Sequence, residues 1–231
     1  MQDPGCRWQG KTSGGKLAGL TMKVAFGMKA HSGWAALVVL GTSSGALQVV
    51  GRCRMELVEE DGASWAKQPY HAAEHLDAGD ARDLVGRAVE SARRIAVREM
   101  RAALKRARDA GHVVAACAVL MSDPMPGWTV DEILAVHFRM HKAEGVLFRD
   151  ALARAAGACG VRLLGIPEKQ LDDHANRALA TPVNSLRDTI ASLGKSVGPP
   201  WGRDQKDAAL AAMIALQGCM KRNGSGVGRH S

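Results

Sequence analysis

Met22-Lys23-Val24-Ala25-Phe26-Gly27-Met28-Lys29-Ala30-His31-Ser32-Gly33-Trp34-Ala35-Ala36-Leu37 is the stretch on which the fold turns. An apolar run begins abruptly at Met22, breaks at the small residues Ser32-Gly33, and resumes at Trp34. Short runs of β-branched, aromatic and small apolar residues bounded by turn formers read as strands. The pattern predicts strands over 23–27, 34–41 and 47–57, with Thr42-Ser43-Ser44-Gly45 turning the chain between the last two. Three such strands in succession make an antiparallel meander.

Downstream, a polar stretch containing Pro69, Tyr70 and His71 leads to a predicted helix over 80–110. Leu84, Val85, Ala88, Ala92, Ile95, Ala96, Met100, Ala103 and Leu104 recur on one helical face, and Gly111 stops it. The almost unbroken apolar run 113–121 suits a central strand covered on both sides. After Pro124, Pro126 and Gly127, helix is expected over 130–158, a short strand over 161–166, a polar connection to Pro199-Pro200, and a final helix over 203–216 with Ala208, Ala211, Ala212, Ala215 and Leu216 on its apolar side. The order β-β-β-α-β-α-β-α implies an α/β domain over 22–217, with a mixed sheet flanked by helices.

Two ends of this domain resemble the ribonuclease-H-like superfamily, and within it the RuvC-type Holliday-junction resolvases. Phe26-Gly27-Met28-Lys29-Ala30-His31-Ser32-Gly33-Trp34-Ala35 is similar to their hydrophobic-Gly-hydrophobic-Asp segment, small-residue turn and Gly-aromatic-small second strand. Asp204-Gln205-Lys206-Asp207-Ala208-Ala209-Leu210-Ala211 resembles their closing helix, in which two aspartates three apart precede an alanine-rich face. The resemblance implies a ribonuclease-H-like mixed sheet and a two-metal site whose carboxylates hold Mg²⁺ or Mn²⁺ against a phosphodiester.

The chain departs from that pattern at two places. Lys29 stands where the first strand's aspartate belongs, and the 113–121 strand offers no acid where the family has a glutamate. An ammonium among aspartates weakens cation binding and is expected to pair with Asp207, meeting a phosphate when a ligand arrives. The leading reading is therefore a divergent protein that binds nucleic acid or another phosphate-bearing ligand at the strand ends, without standard two-metal cleavage and without a cofactor. Lys29, His31, Ser32, Trp201 and Lys206 are the expected ligand-binding residues. One alternative is a Mg²⁺- or Mn²⁺-dependent nuclease with Asp204, Asp207 and Glu144 as catalytic acids and His141 beside them. The other is a non-catalytic scaffold in which Lys29 only neutralises a decayed site.

Further groups carry chemistry of their own. His137, His141 and Glu144 fall at i, i+4 and i+7, one helical face suited to zinc or a similar ion; the plainer reading is a polar face. Tyr70, His71 and His75 form a polar-aromatic group in a connection that either closes over the site or simply packs. Gly198-Pro199-Pro200-Trp201-Gly202 is rigid, and Trp201 either caps a pocket or staples the last helix. Gly5-Cys6-Arg7-Trp8-Gln9-Gly10-Lys11-Thr12 spells a phosphate loop but lacks the strand and helix that make one work. Arginines from Arg82 to Arg108 outnumber acids on the long helix, as on a solvated face or a phosphate track.

Composition bounds these readings. With 46% hydrophobic and 23% charged residues the 231-residue chain is neither wholly disordered nor a disulfide-stapled miniature. Its net charge of +8 sits mostly in the tails, in Arg7, Lys11 and Lys16 against Asp3 and in Lys221, Arg222 and Arg229, so it supports nucleic-acid binding only weakly. Five scattered cysteines without a C-x-x-C argue against a disulfide framework and for a reducing, cytoplasmic setting. No apolar run approaches the ~20 residues of a membrane span. Residues 1–21 and 218–231 are expected to be a disordered leader and tail, with Met22 a candidate natural start.

Overall fold

The computed structural model describes residues 6–8, 21–59 and 64–224, with side chains to Cys219. Its core is one six-stranded mixed sheet. The meander comprises β2 (Met22–His31), β3 (Trp34–Ser43) and β4 (Ala46–Glu56), and β5 (His112–Met121) and β6 (Leu163–Pro167) run parallel to β2. With a short edge strand β1 (Cys6–Trp8), the sheet order is β1-β4-β3-β2-β5-β6. This is the ribonuclease-H-like mixed sheet that the strand pattern implied, with the 113–121 run in its interior.

Period-two alternation builds the two layers. Phe26, Met28, Leu37, Val39, Cys117 and Val119 face one core, closed by α1 (Pro69–Ala73), α2 (Ala78–Asp109), α3 (Val130–Leu134) and α4 (His137–Ala158). Ala25, Val38, Leu40, Ala116, Ala118 and Leu120 face the other, closed by α5 (Leu171–Leu179), α6 (Val183–Val197) and α7 (Arg203–Gly224). The segment read as one helix over 130–158 is two, because Val136 takes an extended backbone, φ −141° and ψ 113°, between α3, which Thr129 and Glu132 start with a capping box, and α4. The expected polar connection after β6 instead holds α5 and α6, and Val183, Leu186, Ile190, Leu193 and Val197 of α6 recur at three- and four-residue spacing on the face that meets the core.

The two tail expectations need correction. Cys6–Trp8 pairs antiparallel with β4, Cys6 and Cys53 are joined in a disulfide, and the Trp8 ring lies against Gly51. Part of the supposed leader is thus an edge strand, and the cysteines are not all reduced; Cys117, Cys159 and Cys219 are free. A cross-strand pair separated by 47 residues carries no local signature, which is why spacing did not reveal it. At the other end α7 continues past Leu216 to Gly224. Apart from Cys6–Trp8 and Thr21, the leader and the phosphate-loop look-alike lie outside the described residues, as does 225–231. A chain beginning at Met22 should therefore melt several degrees below the full-length protein, since it loses both a ladder and a cross-link. Calorimetry of the two chains checks this, and equal melting temperatures would show that β1 contributes nothing.

Candidate functional site at the strand ends

The C-terminal ends of the parallel strands β2, β5 and β6 meet at one edge of the sheet, the position where open α/β sheets bind ligands. Lys29 lies near the end of β2 on the α7 side. Its Nζ donates to Asp207 Oδ2 at 2.9 Å and stands 3.1 Å from Glu168 Oε1 and 3.3 Å from Asp204 Oδ1. Asp204 and Asp207 come from the first turns of α7, where a spacing of three turns both carboxylates the same way. Glu168 follows β6 directly, in a short 3₁₀ turn.

The cluster is held by a second ring of cations. Arg149 Nη2 of α4 donates to Glu168 Oε2 at 2.7 Å, and Arg187 of α6 bridges Asp207 Oδ1 at 3.2 Å and Asp172 Oδ1 at 2.5 Å. His31 Nε2 is 3.1 Å from Asp204 Oδ1, and its ring stacks on Trp34 at 4.4 Å. Lys29 and Asp207 are only 5% exposed, so these contacts are screened little by solvent. Burial opposes the Lys29 charge, yet hydrogen bonds to Asp207 and Glu168 outweigh it and hold its pKa above the ordinary lysine value. Burial likewise opposes the Glu168 charge, while hydrogen bonds from Arg149 and Lys29 hold its pKa below the usual glutamate value.

Beside this cluster opens a cleft of about 590 Å³, lined by Met121, Ser122, Asp123, Phe138, His141, Lys142, Gly145, Arg149, Glu168, Lys169 and Arg203. Four Lys or Arg side chains face it against two carboxylates, and Lys142, Lys169 and Arg203 reach it from three different segments. The Arg203 side chain is almost fully exposed at the entrance of α7.

No protein-family model and no curated protein matches the chain. Thermus thermophilus RuvC in complex with a Holliday junction substrate is similar at 14% identity and TM-score 0.46, over 88% of this chain and 97% of that one. The yeast mitochondrial Holliday junction resolvase Ydc2 is similar at 11% identity and TM-score 0.38, over 89% and 85%. An Aquifex aeolicus member of the Ppx/GppA family is similar at 12% and 0.34, over 69% and 40%. Independently of these, the sheet itself, an antiparallel β4-β3-β2 meander to which β5 and β6 add in parallel, has the ribonuclease-H-like order.

On that scaffold the structure brings together Lys29, His31, Asp204 and Asp207. It does not add Glu144 to them. The Glu144 carboxylate accepts the backbone N–H groups of Tyr70 at 2.9 Å and His71 at 3.4 Å, and burial pushes its pKa up to about 7 against those bonds. Glu144 serves α1, in the layer of α2 and α4, because the alternation of β2 places Lys29 on the opposite side from Met28. Trp201 does not cap the cleft either. Its Nε1 donates to Ile190 O at 2.9 Å and its ring lies where a Gly194 side chain would be, so it staples α6. Arg52, donating to Val197 O, Pro199 O and Pro200 O, fixes the same segment. Ser32 is exposed in the β2–β3 turn, and Lys206 is half-buried in the first turns of α7.

Sequence reasoning missed Glu168, Arg149 and Arg187. The acid expected on β5 comes instead from the end of β6; the one legible signal was Glu168 standing immediately after the strand 161–166. The carboxylates that the resemblance assigns to Mg²⁺ do not fit that role here. Their convergent oxygens already surround an ammonium, whose charge would repel a cation from the same point.

Proposed function

We propose that this chain binds nucleic acid along the strand-end cleft and does not cleave it by two-metal chemistry. The observation that carries this reading is the Lys29 ammonium, within 3.3 Å of Glu168, Asp204 and Asp207, at the edge of a cleft with a cationic surplus. A buried ammonium supplies positive charge without a metal, and the exposed Arg203, the half-exposed Lys142 and Lys169, once it leaves its 2.6 Å pair with Asp123, supply charge that a phosphate backbone can meet. His31 and Ser32 lie at the turn beside the cluster and extend the polar rim. The Arg82–Arg108 face of α2 is less suited, because Arg82, Arg93, Arg94 and Arg98 already pair with Asp131, Asp150 and Glu59.

A labelled four-way DNA junction, titrated by anisotropy across a salt series, tests the proposal. Binding should weaken steeply with salt, and Lys142→Glu with Arg203→Glu should lower affinity about tenfold or more and flatten the slope by about one unit per lost phosphate contact. In Mg²⁺ or Mn²⁺ the junction should stay intact. Metal-dependent cleavage by the wild-type protein would favour the nuclease reading, and the absence of salt-sensitive binding to any DNA or RNA would favour the scaffold.

A further inference from the structure

Outside the strand-end cluster, three histidines converge from two separate segments. His137 and His141 occupy the first turns of α4 at i and i+4, and their Nε2 atoms are 3.0 Å apart. His71 of α1 joins them, with ring centroids 5.4 Å from His137 and 4.6 Å from His141. One ring nitrogen from each of the three lies within 4.8 Å of the others. Two nitrogen ligands on a tetrahedral zinc at about 2.0–2.1 Å would be roughly 3.3 Å apart. The His137–His141 pair is already near that spacing.

The surroundings aim these nitrogens inward. His71 Nδ1 faces Glu144 Oε1 at 3.4 Å, and His137 Nδ1 faces Glu74 Oε1 at 3.7 Å. A carboxylate behind Nδ1 fixes the tautomer that carries its proton there and leaves Nε2 with a free lone pair, the usual support of a metal-bound imidazole. His71 Nε2 is buried and has no hydrogen-bond partner among the described residues, which is costly for a polar atom unless something coordinates it. Glu144 in turn is fixed by the Tyr70 and His71 amides, so its position does not depend on the ion.

We propose that His71, His137 and His141 hold one divalent transition-metal ion of the zinc class, with Glu144 and Glu74 as the carboxylates that orient His71 and His137. This site is independent of the strand-end reading. Three imidazoles leave a fourth position open, and the exposure of His137 and His141 puts that position in contact with solvent, where water or an anionic oxygen completes the shell. His141 also lines the strand-end cleft, so the open position lies at its rim. Glu144, read from the helical spacing as a third ligand, stands behind His71 instead, and the third ligand comes from a segment whose sequence distance hid it.

The test uses the full chain stripped with EDTA and titrated with ZnCl₂ and, separately, CoCl₂. One ion should bind per chain, Co²⁺ should give the intense visible bands of a tetrahedral site, and the melting temperature should rise with Zn²⁺. His137→Ala, at a site 63% exposed where folding is not at stake, should abolish the stoichiometric binding, and His71→Ala should do the same. Glu144→Gln and Glu74→Gln should each weaken it about 10–100-fold. Substoichiometric or Mg²⁺-competable binding would overturn the proposal. So would binding that survives His71→Ala, because the ion would then rest on the helical pair alone.

Discussion

Lys29→Ala should cost about 3 kcal/mol and lower the melting temperature by roughly 10 °C, and Mn²⁺ should then restore part of the loss. The wild-type side chain is buried and its ammonium contacts carboxylates from Glu168, Asp204 and Asp207. Removing it leaves three convergent acids, of which Asp207 is almost wholly buried. Breaking a buried pair by deleting one partner costs about 3–5 kcal/mol. The lower end applies because Asp207 keeps Arg187 and Glu168 keeps Arg149. Mutual repulsion among the acids is relieved by a hard cation, so Mn²⁺-dependent stabilisation, measured in a His137→Ala background that lacks the histidine site, should appear only once Lys29 is replaced, and Lys29→Asp should show it more strongly. Melting series of the three proteins in that background across Mn²⁺ concentrations make the comparison. Strong stabilisation of the protein that keeps Lys29, or no metal response in either Lys29 variant, would show that the ammonium does not occupy a cation site.

Gly27→Ala should be more damaging still, at or above the ~3 kcal/mol upper end of overpacking. A Cβ at Gly27 would fall 1.8 Å from Ala208 O and 2.7 Å from Ala212 N. Both are backbone atoms of α7, so no side chain can swing aside; the helix itself must lift from β2. Because Asp204 and Asp207 ride on the first turns of α7, the same displacement should draw them from Lys29 and weaken the proposed DNA binding beyond what unfolding explains. Gly86→Ala is the matched control, on the exposed face of α2 with nothing within 4 Å, and should stabilise by up to about 1 kcal/mol. Chemical denaturation of both variants decides the matter. A Gly27→Ala protein as stable as wild type would mean that α7 does not lie against β2 as described.

The close approach of Gly27 to α7 shows why the opening stretch was legible. Gly27 is required where a helix crosses a strand backbone to backbone, and the Ala208–Ala212 run is required on the helix that crosses it. Each leaves a mark in its own short stretch of sequence. Trp201 was ambiguous for the opposite reason. A tryptophan after two prolines fits a pocket or a staple equally well, and only the placement of Gly194 on α6 chose between them.

By itself the sequence determined the meander, the doubly buried strand 113–121, the long amphipathic helix, and the presence of Lys29 where an acid was expected, because these depend on spacings of a few residues. The tertiary structure alone decided that Glu168, Arg149 and Arg187 complete the Lys29 cluster, that Glu144 stands behind His71 rather than beside Asp207, and that Cys6 reaches Cys53. Each of those contacts joins residues from different elements. Their meeting is set by which face of the sheet a strand turns outward and by where each helix returns, and neither leaves a local periodicity in the chain.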